Sequence, residues 1–217
     1  MTSPLSSVTK LVIFDLDNCL AAAREVGDEL FKEGFQAIRR ENHGTLGEQE
    51  LQEAFSDCWR HPLDWVAERH GFSEKMLKAG WTAFSQMEVR HRMSGYGDLP
   101  ELLKLVQHRA LVTSGFRRLQ ESKIRALDLA HYLHELHVDA IDEPDRIGKK
   151  GWFQRILTNH RIEPGEAMVV GDSAASEIAA GNALGIPTVQ ILRSGVPRSD
   201  TARHHITTLA ELPGLVK

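Results

Sequence analysis

Basic excess, long apolar runs, paired cysteines and aromatic residues are all scarce in this chain, and each shortage removes a class of function. Among 217 residues, 26 Lys and Arg stand against 30 Asp and Glu, a formal net charge of -4. With no basic stripe, the chain does not read as a nucleic-acid binder. The first apolar stretch, Leu11 to Phe14, is too short for a signal peptide, and no stretch approaches the ~20 residues that cross a bilayer. Cys19 and Cys58 make neither a disulfide framework nor a paired-cysteine metal site. The expectation is a soluble protein of the reducing cytoplasm, with no membrane partner. Aromatics make up 6% of the chain. Phe31, Phe35, Trp59, Trp65, Trp81 and Phe84 fall in one segment, where the expected use is a local core rather than a stacking platform.

What is present is ordinary for a packed domain, 41% hydrophobic and 26% charged. A Ser/Thr/Pro-rich lead-in over residues 1–9 precedes a buried-strand signal at Leu11 to Phe14. From about Arg24 to Met93 the apolar spacing is helical, as in Leu30, Phe31, Gly34, Phe35 and Ile38. Further helical stretches are expected over 48–58, 63–70 and 73–87. After Tyr96, helices and strands alternate. Helices are expected over 99–107, 117–129, 151–160 and 176–184. Strands are expected over 110–113, 136–141, 167–170 and 187–192, with an edge strand at Ile206-Thr207 and a last turn over 209–212. Strands joined by single helices imply right-handed crossovers and an α/β, doubly wound parallel sheet. The division that follows is a core of residues 1–20 and 94–217 with an all-helical insert over 21–93.

The strand ends carry the chemistry. The first delivers Asp15 and Asp17, the second Thr113-Ser114-Gly115, and the third Gly171-Asp172. All carboxyl ends of a parallel sheet lie on one edge, so these groups can converge. Lys149 or Lys150, ahead of the helix at Gly151, adds a cation. Acid, hydroxyl, lysine and acid suit a phosphoryl group and a divalent cation.

With these residues in view, the chain resembles the haloacid dehalogenase-like hydrolases. "DLDNC" is similar to the family's first motif, "VTSG" to its second, the lysine before "GWFQRIL" to its third and "VVGDSAASEI" to its fourth. The resemblance runs from about Lys10 to Leu192, and the four motifs stand in order. It implies Asp15 as a nucleophile forming an aspartyl-phosphate, and Asp17 as general acid and base. Mg2+ would be held by Asp15, the backbone carbonyl of Asp17 and Asp172. Ser114, Gly115 and Lys149 (or Lys150) would bind the phosphoryl group, with Ser173 and Glu177 supporting from behind. Glu177 stands where a shorter acid is usual, so direct ligation is not expected of it. The four-residue step from Lys149 to Phe153 favours Lys149. The insert falls where this family carries a helical cap.

Members that displace halide from carbon lack the acid two residues after the nucleophile, because halide leaves without a proton. Asp17 therefore favours a phosphate ester. The implied activity is a Mg2+-dependent phosphatase acting on a small phosphate monoester. Alternatives are a phosphosugar mutase similar to beta-phosphoglucomutase, a non-catalytic protein that binds a phosphate ligand, and a haloacid dehalogenase. Arg24, Glu25 and Arg117 are expected as substrate contacts. His131, His134 and His137 are expected at the surface or in packing rather than on a metal, and His204-His205 in a structural loop. Neither substrate identity nor oligomeric state is legible.

Overall fold

The computed structural model describes residues 8–216, so most of the expected lead-in lies outside the described residues. Six parallel strands form one sheet in the order β3-β2-β1-β4-β5-β6, with β1 Leu11–Phe14, β2 His108–Gly115, β3 Glu135–Ala140, β4 Ala167–Gly171, β5 Thr188–Ile191 and β6 His204–Ile206. Central β1 is buried on both faces, which explains an apolar run without alternation. Val12 and Phe14 enter one apolar cluster, Leu11 and Ile13 the other, as side chains of a strand must. The second cluster also takes Phe153, Ile156 and Leu157 of α6 (Gly148–His160), with Ala180 of α7 (Ala179–Ala183) packed against it. Leu119 and Ile124 of α5 (Arg117–Ala126) belong to the first. Three layers result, as the crossover pattern requires.

The chain builds from β1 outward through β2 and β3, then returns to the other side of β1 for β4, β5 and β6. Such a reversal opens a crevice at the carboxyl edge, and ligands of doubly wound folds bind there. Asp15 and Asp172 are the first residues beyond β1 and one residue beyond β4's Val170–Gly171 end, on either side of that reversal.

Between β1 and β2 lie the helices α1 Asp28–Arg40, α2 Glu48–Asp57, α3 Leu63–His70 and α4 Glu74–Phe84. Helices α1 and α4 pack closely because Gly34 lies against Phe84 and Gly80 against Ile38, where an added Cβ would overlap the facing side chain. Phe31 stacks on Trp59 at 4.1 Å and meets Phe84 edge-on at 5.3 Å, the expected aromatic core. Trp65 departs from it: 41% exposed, it stacks on His61 at the rim of a cavity.

Two expected helices differ. Over 99–107 the chain forms a 3-10 helix, Leu99–Lys104. Leu99, Leu102 and Leu105 recur every three residues, the repeat of that tighter helix, and all three are buried while Val106 stands exposed. In place of one helix over 176–184, Ala174–Ile178 winds as a π turn before α7. Among the described residues no helix is long and apolar enough to cross a membrane.

Candidate active site

Asp15 follows β1 directly, and its backbone N–H donates to the Val170 carbonyl of β4 at 3.0 Å, fixing its place on the sheet edge. Lys149, in the first turn of α6, donates from Nζ to Asp15 Oδ1 at 2.6 Å and to Glu177 Oε2 at 2.7 Å. All three side chains are nearly sealed from solvent, at 9%, 8% and 1% exposure. The neighbouring Lys150 is exposed, so it is Lys149 that enters the cluster. Glu177 is turned inward by the π turn, and its other oxygen accepts from the Ser173 N–H at 2.7 Å. Gly171 makes room for it, since a Cβ there would run into the Glu177 side chain.

Electrostatics in this pocket are strained. Burial pushes the Asp15 carboxyl up to about 7 against the pull of Lys149. Burial likewise pushes Asp172 up to about 8, with Glu177 and Asp15 adding repulsion. Lys149 is held above its ordinary value: burial opposes its charge, but Asp15 and Glu177 outweigh that. Carboxylates crowded out of water disfavour one another's ionisation until a cation arrives.

Asp17 has a partner that sequence reasoning did not find. Lys123 of α5 reaches both Asp17 oxygens at 2.9 Å, and Gln120 approaches one of them at 3.4 Å. The signal was present in α5: Lys123 lies four residues after Leu119, on the buried face, where an ammonium needs an acid. Ser114 lines the cavity, and its hydroxyl donates to Asp139 Oδ2 at 2.9 Å. Thr113 lines it too, buried, with a long 3.3 Å contact to Gln120 Oε1. Asp139 is braced further by Arg146 Nε at 3.0 Å and by the Gly148 N–H at 2.9 Å, which anchors the entry to α6.

The cavity, about 470 Å³, opens between this edge and the helices. Asp15, Asp17, Ser114, Gly115, Lys149, Asp172, Ser173 and Glu177 all line it. From the helical side come Trp59, Arg60, His61, Trp65 and Glu68. Arg60 also donates to the Gly195 carbonyl at 2.7 Å, and Asp64 meets Arg146 at 3.1 Å, so two polar contacts span the opening.

Three expected substrate contacts lie elsewhere. Arg24 pairs with Asp28 at 3.0 Å and lies over the Trp59 ring, and is not among the residues that line the cavity. Glu25 accepts from the backbone N–H groups of Ser94 and Gly95, joining the segments that enter and leave the helical insert. Arg117 pairs with Glu143 at 2.6 Å and Glu121 at 3.2 Å. Each carries a nearer acid or backbone partner than anything in the cavity. His204 and His205, expected in a loop, open the edge strand β6 instead, and His205 bonds the Ser199 carbonyl at 2.7 Å.

The donor set suits a hard divalent ion. Asp15, Asp172 and Glu177 each offer a carboxylate oxygen, all within 4.8 Å of one another. Lys149 and Lys123 are bonded within this set of four acids, Asp15, Asp17, Asp172 and Glu177, which leaves more carboxylates than bonded ammonium groups. Oxygen-only ligands with unmatched negative charge are what Mg2+ requires.

A sequence model of haloacid dehalogenase-like hydrolases matches residues 9–185. A glyceraldehyde 3-phosphate phosphatase of Methanopyrus kandleri is 26% identical over 88% of this chain and 89% of its own length. A ribulose-1,5-bisphosphate 5-phosphatase of Halopiger xanaduensis is 28% identical, covering 94% of this chain and 98% of its own. Among solved structures, a phosphatase of the same family from Thermococcus onnurineus superposes with a TM-score of 0.64 at 22% identity, over 95% of this chain and 97% of that one. That last likeness speaks for the fold.

Proposed function

Because the chain belongs to the haloacid dehalogenase-like hydrolases, we propose that it is a Mg2+-dependent phosphatase working through an aspartyl-phosphate at Asp15. The observation that carries the reading is the pairing of two acids at one strand end with two different buried lysines, Asp15 with Lys149 and Asp17 with Lys123. Each acid is thereby held in its own orientation, as separate roles demand.

Asp15 attacks phosphorus through a carboxylate oxygen as the ester P–O bond breaks. The departing alkoxide takes a proton from Asp17. In the second half a water oxygen attacks phosphorus, Asp17 takes the water's proton, and the Asp15–phosphate bond breaks to release inorganic phosphate. Splitting a slow hydrolysis into two displacements is the gain from the covalent step. Lys149 offsets charge on the phosphoryl oxygens, and Thr113 and Ser114 offer hydroxyls beside it. Both hydroxyls donate already, Thr113 to Gln120 at 3.3 Å and Ser114 to Asp139 at 2.9 Å, so Thr113 is the more loosely held. Mg2+, held by Asp15, Asp172 and the carbonyl of Asp17, would supply the charge that lets an anion approach an anion. Glu177 keeps its oxygens on Lys149 and Ser173, so its role is to position that lysine.

The helices over the site form a cap that excludes water and selects substrate. A cavity of about 470 Å³ with Arg60, His61 and Glu68 on its cap side suits a small polyhydroxylated phosphate ester. The two phosphatase relatives, named for a triose phosphate and a pentose bisphosphate, point the same way. Two unpaired cysteines, Cys19 and Cys58, are in keeping with work in the cytoplasm. A panel of sugar phosphates assayed with Mg2+ and with EDTA tests the proposal. Free phosphate released only with the metal is the expected result. Equal rates in both would remove the metal, and isomerised phosphosugar without free phosphate would mark a mutase.

A further inference from the structure

At the opposite end of the sheet from the cavity, three imidazoles close on one carboxylate. His108 opens β2, Glu135 opens β3, His137 follows two residues later, and His160 ends α6. Glu135 pairs in register with Ala110, two residues beyond His108, and residues two apart on a strand share a face. His108 Nε2 lies 2.6 Å from Glu135 Oε1, and His160 Nε2 reaches the same oxygen. His137 Nε2 lies 2.9 Å from Oε2. None of these four residues lines the phosphoryl cavity.

The rings crowd one another as well. His108 lies 4.6 Å from His160 and 4.7 Å from His134, centroid to centroid. Burial works against the charge on Glu135, yet the bonds from His137, His108 and His160 hold its carboxyl down at about 2. Side-chain exposures of 23% to 32% leave the cluster open to solvent, so an ion has a way in.

We propose that His108, Glu135 and His160 form a binding site for a transition-metal ion of the Zn2+ class, with His137 orienting Glu135 through its second oxygen. Two imidazole nitrogens and one carboxylate oxygen are a set that zinc accepts and that Mg2+, which prefers oxygen alone, does not. On ligation each Nε2 gives up its proton, to Nδ1 of its own ring or to solvent, and bonds the ion through the freed lone pair. Bonds of about 2.0–2.2 Å in a tetrahedron set ligand atoms roughly 3.3 Å apart. The three ligand atoms already lie within 4.8 Å of one another, so small side-chain rotations suffice. The ion would pin the last residue of α6 to the starts of β2 and β3. That helix presents Lys149 to the cavity from its other end.

Calorimetric titration of the full chain with ZnCl2 tests this, alongside Asp172→Asn, His108→Ala, His160→Gln and His137→Ala. Asp172→Asn is expected to take one ion per chain, and the wild type at least that one. His108→Ala and His160→Gln should weaken binding by more than the ~10-fold typical of losing an outer partner, and His137→Ala by about that much. Zinc should raise the melting temperature of the wild type and Asp172→Asn but not of His160→Gln, whose site is a helix end that tolerates change; circular dichroism confirms that each variant folds. Absence of zinc uptake by the wild type would overturn the assignment. So would uptake that vanishes in Asp172→Asn and persists in His108→Ala and His160→Gln.

Discussion

The sheet edge and the cap face each other across one cavity, and they treat polar groups in opposite ways. On the edge, Asp15 and Glu177 are buried and the Lys149 side chain is nearly so, each bonded to another member of the set. On the cap, Arg60, Trp65 and Glu68 are exposed. The edge carries groups whose geometry is settled before substrate arrives, which is what transition-state stabilisation needs. The helical insert carries exposed groups with freedom left to lose. Under the proposed function, chemistry would fall to the edge and recognition and closure to the insert.

The sharpest way to break this contrast is Asp15→Asn. Turnover should fall by on the order of 10⁴-fold or more, since the nucleophile and its partners act as a unit. Steady-state rates on the best ester of the panel check it, and substantial residual turnover would remove the edge from the chemistry. Lys149→Met should come next, lowering kcat by about 10² to 10³-fold, the usual cost of one preorganised donor to developing charge. The same change at Lys150 should leave kcat within about twofold, because exposed side chains away from a site rarely matter.

A polar network inside the α/β core should govern stability instead. Arg193 donates to both oxygens of Asp98 at 2.8 Å and to the Cys19 carbonyl at 2.9 Å, while Thr208 and Leu209 also donate to Asp98. Asp98→Asn should cost about 3 kcal/mol at pH 7, because it strands a nearly buried guanidinium. Burial opposes the charge on Asp98, but the bonds from Arg193, Leu209 and Thr208 win and its carboxyl is held low. A carboxyl lowered on folding stabilises above its unfolded value, and that stability is lost as pH falls through the folded one. Urea midpoints of wild type and Asp98→Asn should therefore converge below about pH 4. A smaller loss belongs to the helical insert. Trp65→Ala should raise KM by roughly tenfold with kcat nearly unchanged, the pattern of lost uniform binding. A fall in kcat instead would mean that the cap shares in the chemistry.

The two regions were not equally legible in the sequence. Apolar runs ending in Asp15, Thr113 and Gly171-Asp172 marked three strand ends, and helix–strand alternation then put them on one edge. Periodicity also marked the insert as helical. The substrate contacts were read less well: Arg24, Glu25 and Arg117 sit close in sequence to motif residues, but each turns to a nearer partner. Sequence proximity says which element a residue is on, not which way its side chain leaves it. The pairing of Lys123 with Asp17 spans 106 positions, and that of Lys149 with Asp15 spans 134.

Taken by itself, the order of residues determined the strands, the helical insert and the identity of the acids, because hydrophobic periodicity acts over a few residues at a time. Tertiary structure alone decided between Lys149 and Lys150, gave Asp17 its cation, turned Glu177 inward through a π turn and gathered histidines from β2, β3 and α6 around Glu135. Those choices rest on how crossover helices pack against a twisted sheet. Charges far apart in the chain meet there only once that packing has removed them from water.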